Sequence, residues 1–451
     1  MRSRRVMLAT AFDTTVATHE AIENVSRGKV SAPREIMTRR LRMLPPAGGP
    51  IPFTAVFWSL WHSLHASAPH IQSDTLIRQL TACMGAQRWV FTNSGRSALS
   101  LVLMALHKRH PRCDEVIIPA YTSYSVPAAV VRAGLRVRLC DIEPHTLGID
   151  PKALAQTITD RTLCVVPHHL FGLPCRIREI CDVASASPIP VIEDVAQGLR
   201  VVCGGRHSGT FGQAAIFSIS RGKNIPGAGG GLIGFHDDEL AEECRTSLTG
   251  GTGKARDVIG LQGAIEALLM AWFIRPSWYW FPASLPFLQL GASWFDPAFS
   301  IAPMTRFQLA LLARLLPNAP KLREGREAQA VRLRQALQGT HVEVLWPREE
   351  DTGAYLRLPV LLRTGEFKGR LLGELNRRGL GSTEGYPLSL SRVPALRAFL
   401  AEPDRTYPSA EDVCRRLITF PTHIWVTDRD IADMTEVVRH AKHNADDRTV
   451  L

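Results

Sequence analysis

From Trp89 onward the chain alternates short apolar runs with segments of helical spacing, and this alternation limits the fold more than any other feature. The runs are WVFT, EVIIPA, RVRLCDI, TLCVVPHH, PVIEDVA, AAIFSIS and GGLIGF, with helical SALSLVLMAL, VPAAVVRAG and DPKALAQTI between the early ones. Parallel strands need long crossover connections, and helices supply them. The pattern therefore predicts an α/β chain with a large, doubly wound, mostly parallel sheet covered on both faces. A second alternation after Asp351 comprises AYLRLPVLL, FKGRLLGELNRRG and a last helix from Asp428 carrying Ile431, Met434, Val438 and Ala441. It predicts a small C-terminal α/β domain, with Thr427 and Asp430 capping the last helix.

A chain of 451 residues suits two domains of ordinary size. The segment MLPPAGGPIP, Met43 to Pro52, is expected as a linker after a basic arm at 1–43. A large domain at 44–300 follows, and a linking helix with the small domain occupies 301–451. Residues 1–42 hold nine Arg or Lys against four acids, nearly half of the net +11. No aromatic-studded basic stripe accompanies them, so the charge is read as a solvated tail rather than a nucleic-acid site. The nine cysteines form no C-x-x-C pair, which argues against a disulfide framework or a structural metal site and fits a reducing cytoplasm. The apolar run in MRSRRVMLATAF soon reaches Asp13, too short for a secretory signal.

The tryptophan-rich stretch near 265–295, ALLMAWFIRPSWYWFPASLPFLQLGASWF, carries almost no charge. Pro276, Pro282 and Pro286 interrupt it before the roughly 20 apolar residues that a membrane span needs. It is expected as a helix and loop buried in the core or between subunits. The other reading is a patch that touches the cytoplasmic face of a membrane or a lipid-linked substrate.

Three short stretches carry chemistry. Lys223 follows the apolar AAIFSIS and precedes glycines, where desolvation would favour the neutral amine that joins a carbonyl as a Schiff base. The same place also suits a solvated surface lysine. Asp194 and Gln197, in PVIEDVAQG, stand at the carboxyl end of a strand, the edge where open α/β sheets bind ligands. A carboxylate there suits the protonated ring nitrogen of pyridoxal phosphate, a magnesium ion or a helix cap. Ser94, Gly95, Arg96 and Ser97 lead from a strand into a helix whose first N–H groups suit a phosphate, or an ordinary cap. GAGGG precedes a strand, so it lacks the setting of a dinucleotide site, and no P-loop pattern occurs.

A phosphate cradle, an acid with a glutamine, then a lysine, in that order, resembles the fold type I pyridoxal phosphate enzymes. More narrowly the chain resembles the DegT/DnrJ/EryC1/StrS sugar aminotransferases, through SGRSAL, IIPAYTSYS, DIEPHTLGIDPKAL, PHHLFGLP, VIEDVAQG, GTFGQAAIFSISRGKN, GGGLI and GYPLSL. The resemblance implies pyridoxal phosphate as cofactor, a homodimer, an amino donor such as glutamate and a keto-sugar acceptor in cell-surface polysaccharide or glycoconjugate synthesis. It implies that Lys223 binds the cofactor aldehyde and moves the reacting proton, that Asp194 keeps the ring nitrogen protonated and that Gln197 meets the ring hydroxyl. Gly95, Arg96, Ser97 and Ser218 would hold the phosphate. His169 would lie near the ring, unless it is a satisfied core histidine; His423 is expected to be structural. The family's stacking aromatic is Ser123 here, with Tyr121 or Tyr124 as substitutes; the acid of its GEGG is Gly229, and the asparagine of its GYNYRM is missing from FSIAPMTRFQ. Arg96 stands for a threonine. A pyridoxal phosphate-dependent dehydratase, whose relatives carry histidine for the lysine, and a non-catalytic scaffold in polysaccharide assembly are the competing readings.

Overall fold

The structure is a computed structural model that describes residues 42–446, apart from 67–73, 87, 251–258, 286–287, 289 and 291–293. The basic arm expected at 1–43 thus lies almost wholly outside the described residues. Helices α1 (Phe53–His65) and α2 (Asp74–Met84) lead to strand β1 (Arg88–Thr92) and helix α3 (Gly95–Arg109). Then come β2 (Glu115–Pro119), α4 (Ser125–Arg132), β3 (Arg136–Cys140), α5 (Pro151–Thr157), β4 (Thr162–Val165), α6 (Ile177–Ala186) and β5 (Ile192–Asp194). A hairpin of β6 (Val202–Cys203) and β7 (Arg206–His207) precedes β8 (Ala214–Ser218) and β9 (Gly231–Phe235). Helices α7 (Asp238–Gly250), α8 (Leu261–Phe273), α9 (Pro276–Ala283), α10 (Arg306–Leu315) and α11 (Ala319–Ala336) follow. The chain continues through β10 (Val342–Val344), β11 (Arg357–Leu362), α12 (Lys368–Arg377), α13 (Pro408–Arg416), β12 (Leu417–Pro421) and α14 (Asp428–Asp446).

Two ladders, β3-β2-β4 and β5-β8-β9-β1, join into one sheet. Parallel bridges from Val165 to Val191 and from His168 to Asp194 make the seam, and the Asp194 N–H bonds to the Pro167 carbonyl at 2.8 Å. All pairs are parallel except those of β9, which runs against both β1 and β8. Burial on both faces explains why the strand sequences are continuous apolar runs: Val116 and Ile118 of β2 enter one core and Ile117 another. A separate antiparallel sheet, β10-β11-β12, packs Leu358, Val360, Ile418 and Phe420 against Leu333, Met434 and Val438. The cap expected for α14 forms, with the Asp430 N–H bonding to the Thr427 hydroxyl at 3.3 Å and the Thr427 N–H to the Asp430 carboxylate at 2.8 Å.

One expectation needs correction. The segment Met43 to Pro52 is no free linker: Leu44 is buried in the core of the second sheet, and its N–H bonds to the Gly379 carbonyl at 2.8 Å. Proline and glycine remove donors and side chains, so the segment packs by the few groups left, including the Pro45 carbonyl that meets His423 Nε2 at 2.9 Å. In the tryptophan-rich stretch α8 buries Ala264, Ala267, Met270 and Ala271, while Trp272, Trp278 and Phe281 are exposed, as either interface reading of the stretch requires. Among the described residues no helix is long and apolar enough to cross a membrane.

Behind β5 sits a buried carboxylate that fixes the approach to β8. Glu193 accepts the N–H groups of Gly209 (2.8 Å), Phe211 (2.6 Å) and Gly212 (3.0 Å). Three bonds to a charged acceptor offset the cost of burying it. Glu193→Ala would leave those donors unpaired and is expected to lower the unfolding free energy by about 3 kcal/mol or more, measured by urea denaturation.

Candidate active site

Strand β8 and the loop after it place the lysine. Register sets Asp194 beside Ile216, and Ser218 beside Gly231. Beyond Ser218 the chain turns: Gly222 takes φ +76°, and the Lys223 N–H bonds to the Ser220 carbonyl at 3.1 Å. Glycine reaches this left-handed conformation at little cost because it has no Cβ. Arg326 of α11 clamps the turn from behind. Its buried guanidinium donates to the carbonyls of Lys223 (3.2 Å), Asn224 (3.1 Å) and Gly48 (3.3 Å). Burial pushes its pKa down to about 10, so it stays charged at neutral pH.

These elements wall a cavity of about 410 Å³. Gly95, Arg96, Asp194, Gln197, Ser218 and Lys223, all expected from the sequence, line it. At one end the start of α3 lies against the end of β8. A Cβ on Gly95 would meet Ser218 Cβ at 3.0 Å and Oγ at 3.2 Å, and one on Gly231 would meet the Ser94 carbonyl oxygen at 2.2 Å. Ser94 caps α3 by accepting the Ser97 N–H at 3.2 Å, while the N–H groups of Gly95 and Arg96 precede the first intrahelical bond. The Arg96 guanidinium lies over the Phe299 ring at 4.5 Å and 3.6 Å from the Asp296 carboxylate.

Ser97, Tyr121, Tyr124 and His169 do not line the cavity. The Ser97 hydroxyl donates to the Ser300 carbonyl at 3.1 Å, and Tyr121 is buried with its hydroxyl oxygen accepting the Tyr386 N–H at 3.0 Å. The Tyr124 hydroxyl donates to the Leu388 carbonyl at 3.3 Å. His169 is buried, its Nδ1 accepting the Cys175 N–H at 3.3 Å and its Nε2 3.7 Å from the Glu193 carboxylate.

Lys223 opens onto the cavity and is enclosed elsewhere. Burial holds its amine below the ordinary lysine range; the Arg357 cation adds to this and Asp194 opposes it. Arg357 enters from β11, where burial lowers its own pKa and its Nη1 donates to the Thr383 hydroxyl at 2.7 Å. Gln197 is fixed at both ends: its Oε1 accepts the Phe171 N–H at 3.1 Å and its Nε2 donates to the Tyr386 hydroxyl at 3.0 Å. Phe171 takes a left-handed φ of 56°, strain that the surrounding packing must hold, and its ring stacks on Tyr386 at 6.2 Å. The arrangement offers helix-start donors for an anion, an aromatic wall, a carboxylate, and an amine able to hold or release a proton.

A profile of the DegT/DnrJ/EryC1/StrS aminotransferase family matches residues 72–439. The chain belongs to this family. It is 26% identical over 374 residues to the spore coat polysaccharide biosynthesis protein SpsC of Bacillus subtilis, covering 82% of this chain and 89% of that one. It is also 26% identical to the dTDP-4-dehydro-2,3,6-trideoxy-D-glucose 4-aminotransferase of Saccharopolyspora spinosa, over 80% of this chain and 86% of that one. The PLP form of Spr1654 from Streptococcus pneumoniae shares the fold, with a TM-score of 0.70 at 21% identity over 89% of this chain and 99% of that one.

Within this family frame the structure accounts for one departure of the sequence. Gly229, in place of an acid, has φ +82°, and a Cβ there would meet Gln308 Nε2 at 2.9 Å. Gln308 instead donates to the Ala228 carbonyl at 3.0 Å and completes the cap of α10 with Thr305. Sequence reasoning passed over Tyr386, although it lies in the GYPLSL motif, and Arg357 and Arg326, which no local pattern sets apart from other arginines.

Two buried histidines give the protein a signature in acid. His168 bonds the Thr122 hydroxyl and the Leu147 carbonyl, each at 2.8 Å, and burial lowers its pKa to about 4; His423 is likewise lowered to about 4 by burial. The unfolded chain binds protons near pH 6.5 that the folded chain refuses until about pH 4. Stability is therefore expected to be flat above that window and to fall as pH drops through it, on the order of 3 kcal/mol per histidine, measured as the urea midpoint against pH.

Proposed function

We propose that the protein is a pyridoxal phosphate-dependent aminotransferase that moves an amino group, with glutamate as donor, to a keto group on a sugar-derived acceptor in polysaccharide or glycoconjugate synthesis. The observation that carries the reading is that Lys223 and Asp194 face one cavity whose far wall is the start of α3. Its volume of about 410 Å³ lies in the roughly 300–1,000 Å³ range of small-molecule sites. The fit to the cofactor rests on the close approach of Gly95 to Ser218, which brings helix N–H groups and a hydroxyl to one point as a phosphate requires. When bound, pyridoxal phosphate supplies an aldehyde for amines and a protonated ring that withdraws electrons from a neighbouring C–H bond.

The chain's own residues do the rest. Gly95, Arg96 and Ser218 would hold the phosphate, and Asp194 would keep a proton on the ring nitrogen by charge pairing. Gln197, fixed between Phe171 and Tyr386, would meet the ring hydroxyl with its amide. Lys223, its amine held neutral more readily by burial, takes a proton from the donor's α-carbon and returns one to the acceptor carbon. Among the described residues the remaining cations of the cavity are Arg221 and Arg357, which suit the carboxylates of an amino-acid donor. A homodimer belongs to the same reading, with light scattering as its check.

Borohydride treatment of the yellow holoprotein followed by peptide mapping is expected to place a pyridoxyl group on Lys223. Lys223→Ala is expected to cut transfer from glutamate by about a thousandfold or more while the protein still folds. A pyridoxyl group on another lysine, or no cofactor, overturns the proposal.

A further inference from the structure

Helix α1 is built inside out. Its inward side carries small residues, Ala55, Val56, Ser59 and Ser63, and the two serine hydroxyls return to their own helix, at the Ala55 carbonyl (2.6 Å) and the Leu60 carbonyl (2.8 Å). Its outward side carries Phe57, Trp58, Trp61 and Leu64, with Trp61 61% and Leu64 53% exposed. Helix α8 repeats the pattern, with Ala264, Ala267 and Ala271 inside beside one larger residue, Met270, and Leu261, Ile265, Leu269 and Trp272 outside. The spacing i, i+4, i+8, i+11 is a single helical stripe. Ring contacts join the helices into one face: Phe53 to Trp272 at 6.0 Å, Trp272 to Trp278 at 5.8 Å, and Phe273 to Phe281 at 5.7 Å. Isolated exposed apolar residues are ordinary, but three helices presenting large side chains side by side are not.

Charge decides what covers this face. Across α1, α8 and α9 the sequence holds one acid, Glu266. Arg275 lies over the Phe53 ring at 5.4 Å and Arg314 over the Trp58 ring at 5.9 Å, and among the described residues neither pairs with a carboxylate. In a two-fold contact the same patch meets itself, so these arginines would face a surface with almost no acid to receive them. Tryptophans with arginines at their edge match the region where acyl chains meet headgroups. We propose that the joined face of α1, α8 and α9 docks on an anionic lipid surface, its aromatic rings at the level of the headgroups and Arg275 and Arg314 on lipid phosphates. Helix α9 ties this face to the cavity: Tyr279 lines the cavity while Trp278 and Phe281 are exposed on the outer side. The proposal stands whatever reaction the cavity supports.

The test uses the full-length protein and vesicles of phosphatidylcholine with about a third phosphatidylglycerol. Sedimentation with these vesicles is expected, with binding about tenfold weaker to phosphatidylcholine alone. Brominated lipid is expected to quench the wild-type tryptophan fluorescence, a readout that needs no variant. The double variant Trp61→Ser with Leu269→Ser is expected to bind about tenfold more weakly while its melting temperature, oligomeric mass and amino transfer to a soluble acceptor are unchanged. Wild-type protein that stays in the supernatant, an unquenched signal, or a variant that binds as well as wild type overturns the proposal. A variant that loses oligomeric mass overturns it too, because the face then joins copies of the chain.

Discussion

Two adjacent acids at the end of β5 point to opposite sides of the sheet, and the rest of the structure is arranged around that alternation. Successive side chains on a strand must face opposite ways. Glu193 therefore goes behind the sheet, where three N–H groups of the loop 209–212 converge on it. Asp194 goes to the front and opens on the cavity. Because β8 pairs with β5 in parallel, the loop that Glu193 fixes sets where β8 begins, and hence where Ser218 and Lys223 arrive. The rear carboxylate holds the loop, and the front one faces the cavity.

Much of this was legible from the chain because its strands are buried on both faces. Continuous apolar runs broken by helical segments leave few alternatives to a covered parallel sheet, and Asp194 and Ser218 at strand ends, with Gly95 and Lys223 just beyond them, are what such a sheet brings to one edge. Other residues could not be read. Tyr386 and Arg357 arrive from the C-terminal part of the chain, and no spacing rule links them to Lys223. Arg326 sits in a helix rich in arginine, and only packing against the Lys223 turn separates it from its neighbours. Tyr121 and Tyr124 were expected at the cofactor and instead hold the backbone of the segment that carries Tyr386, at its own N–H and at Leu388.

The tryptophan-rich stretch shows why core and interface read alike in a sequence. Hydrophobicity alone assigns large apolar side chains to the interior. Helices α1 and α8 show the reverse: what they bury is mainly small, Ala55, Val56, Ser59 and Ser63 in α1, and Ala264, Ala267 and Ala271 beside Met270 in α8. What remains for the outer side is set by whatever the protein meets there, and the sequence carries no mark that separates the two cases.

Helix α9 carries this arrangement to the cavity. Consecutive residues on a helix differ in direction by about 100°, so Trp278 and Tyr279 on that short helix face different surroundings. One is exposed, and the other closes the cavity. Pro276 opens the helix, where its missing N–H costs little, and Pro282 lies in its last turn. The helix is thus shared by two surfaces: Trp278 and Phe281 belong to the outer face, and Tyr279 belongs to the wall of the cavity that holds Lys223.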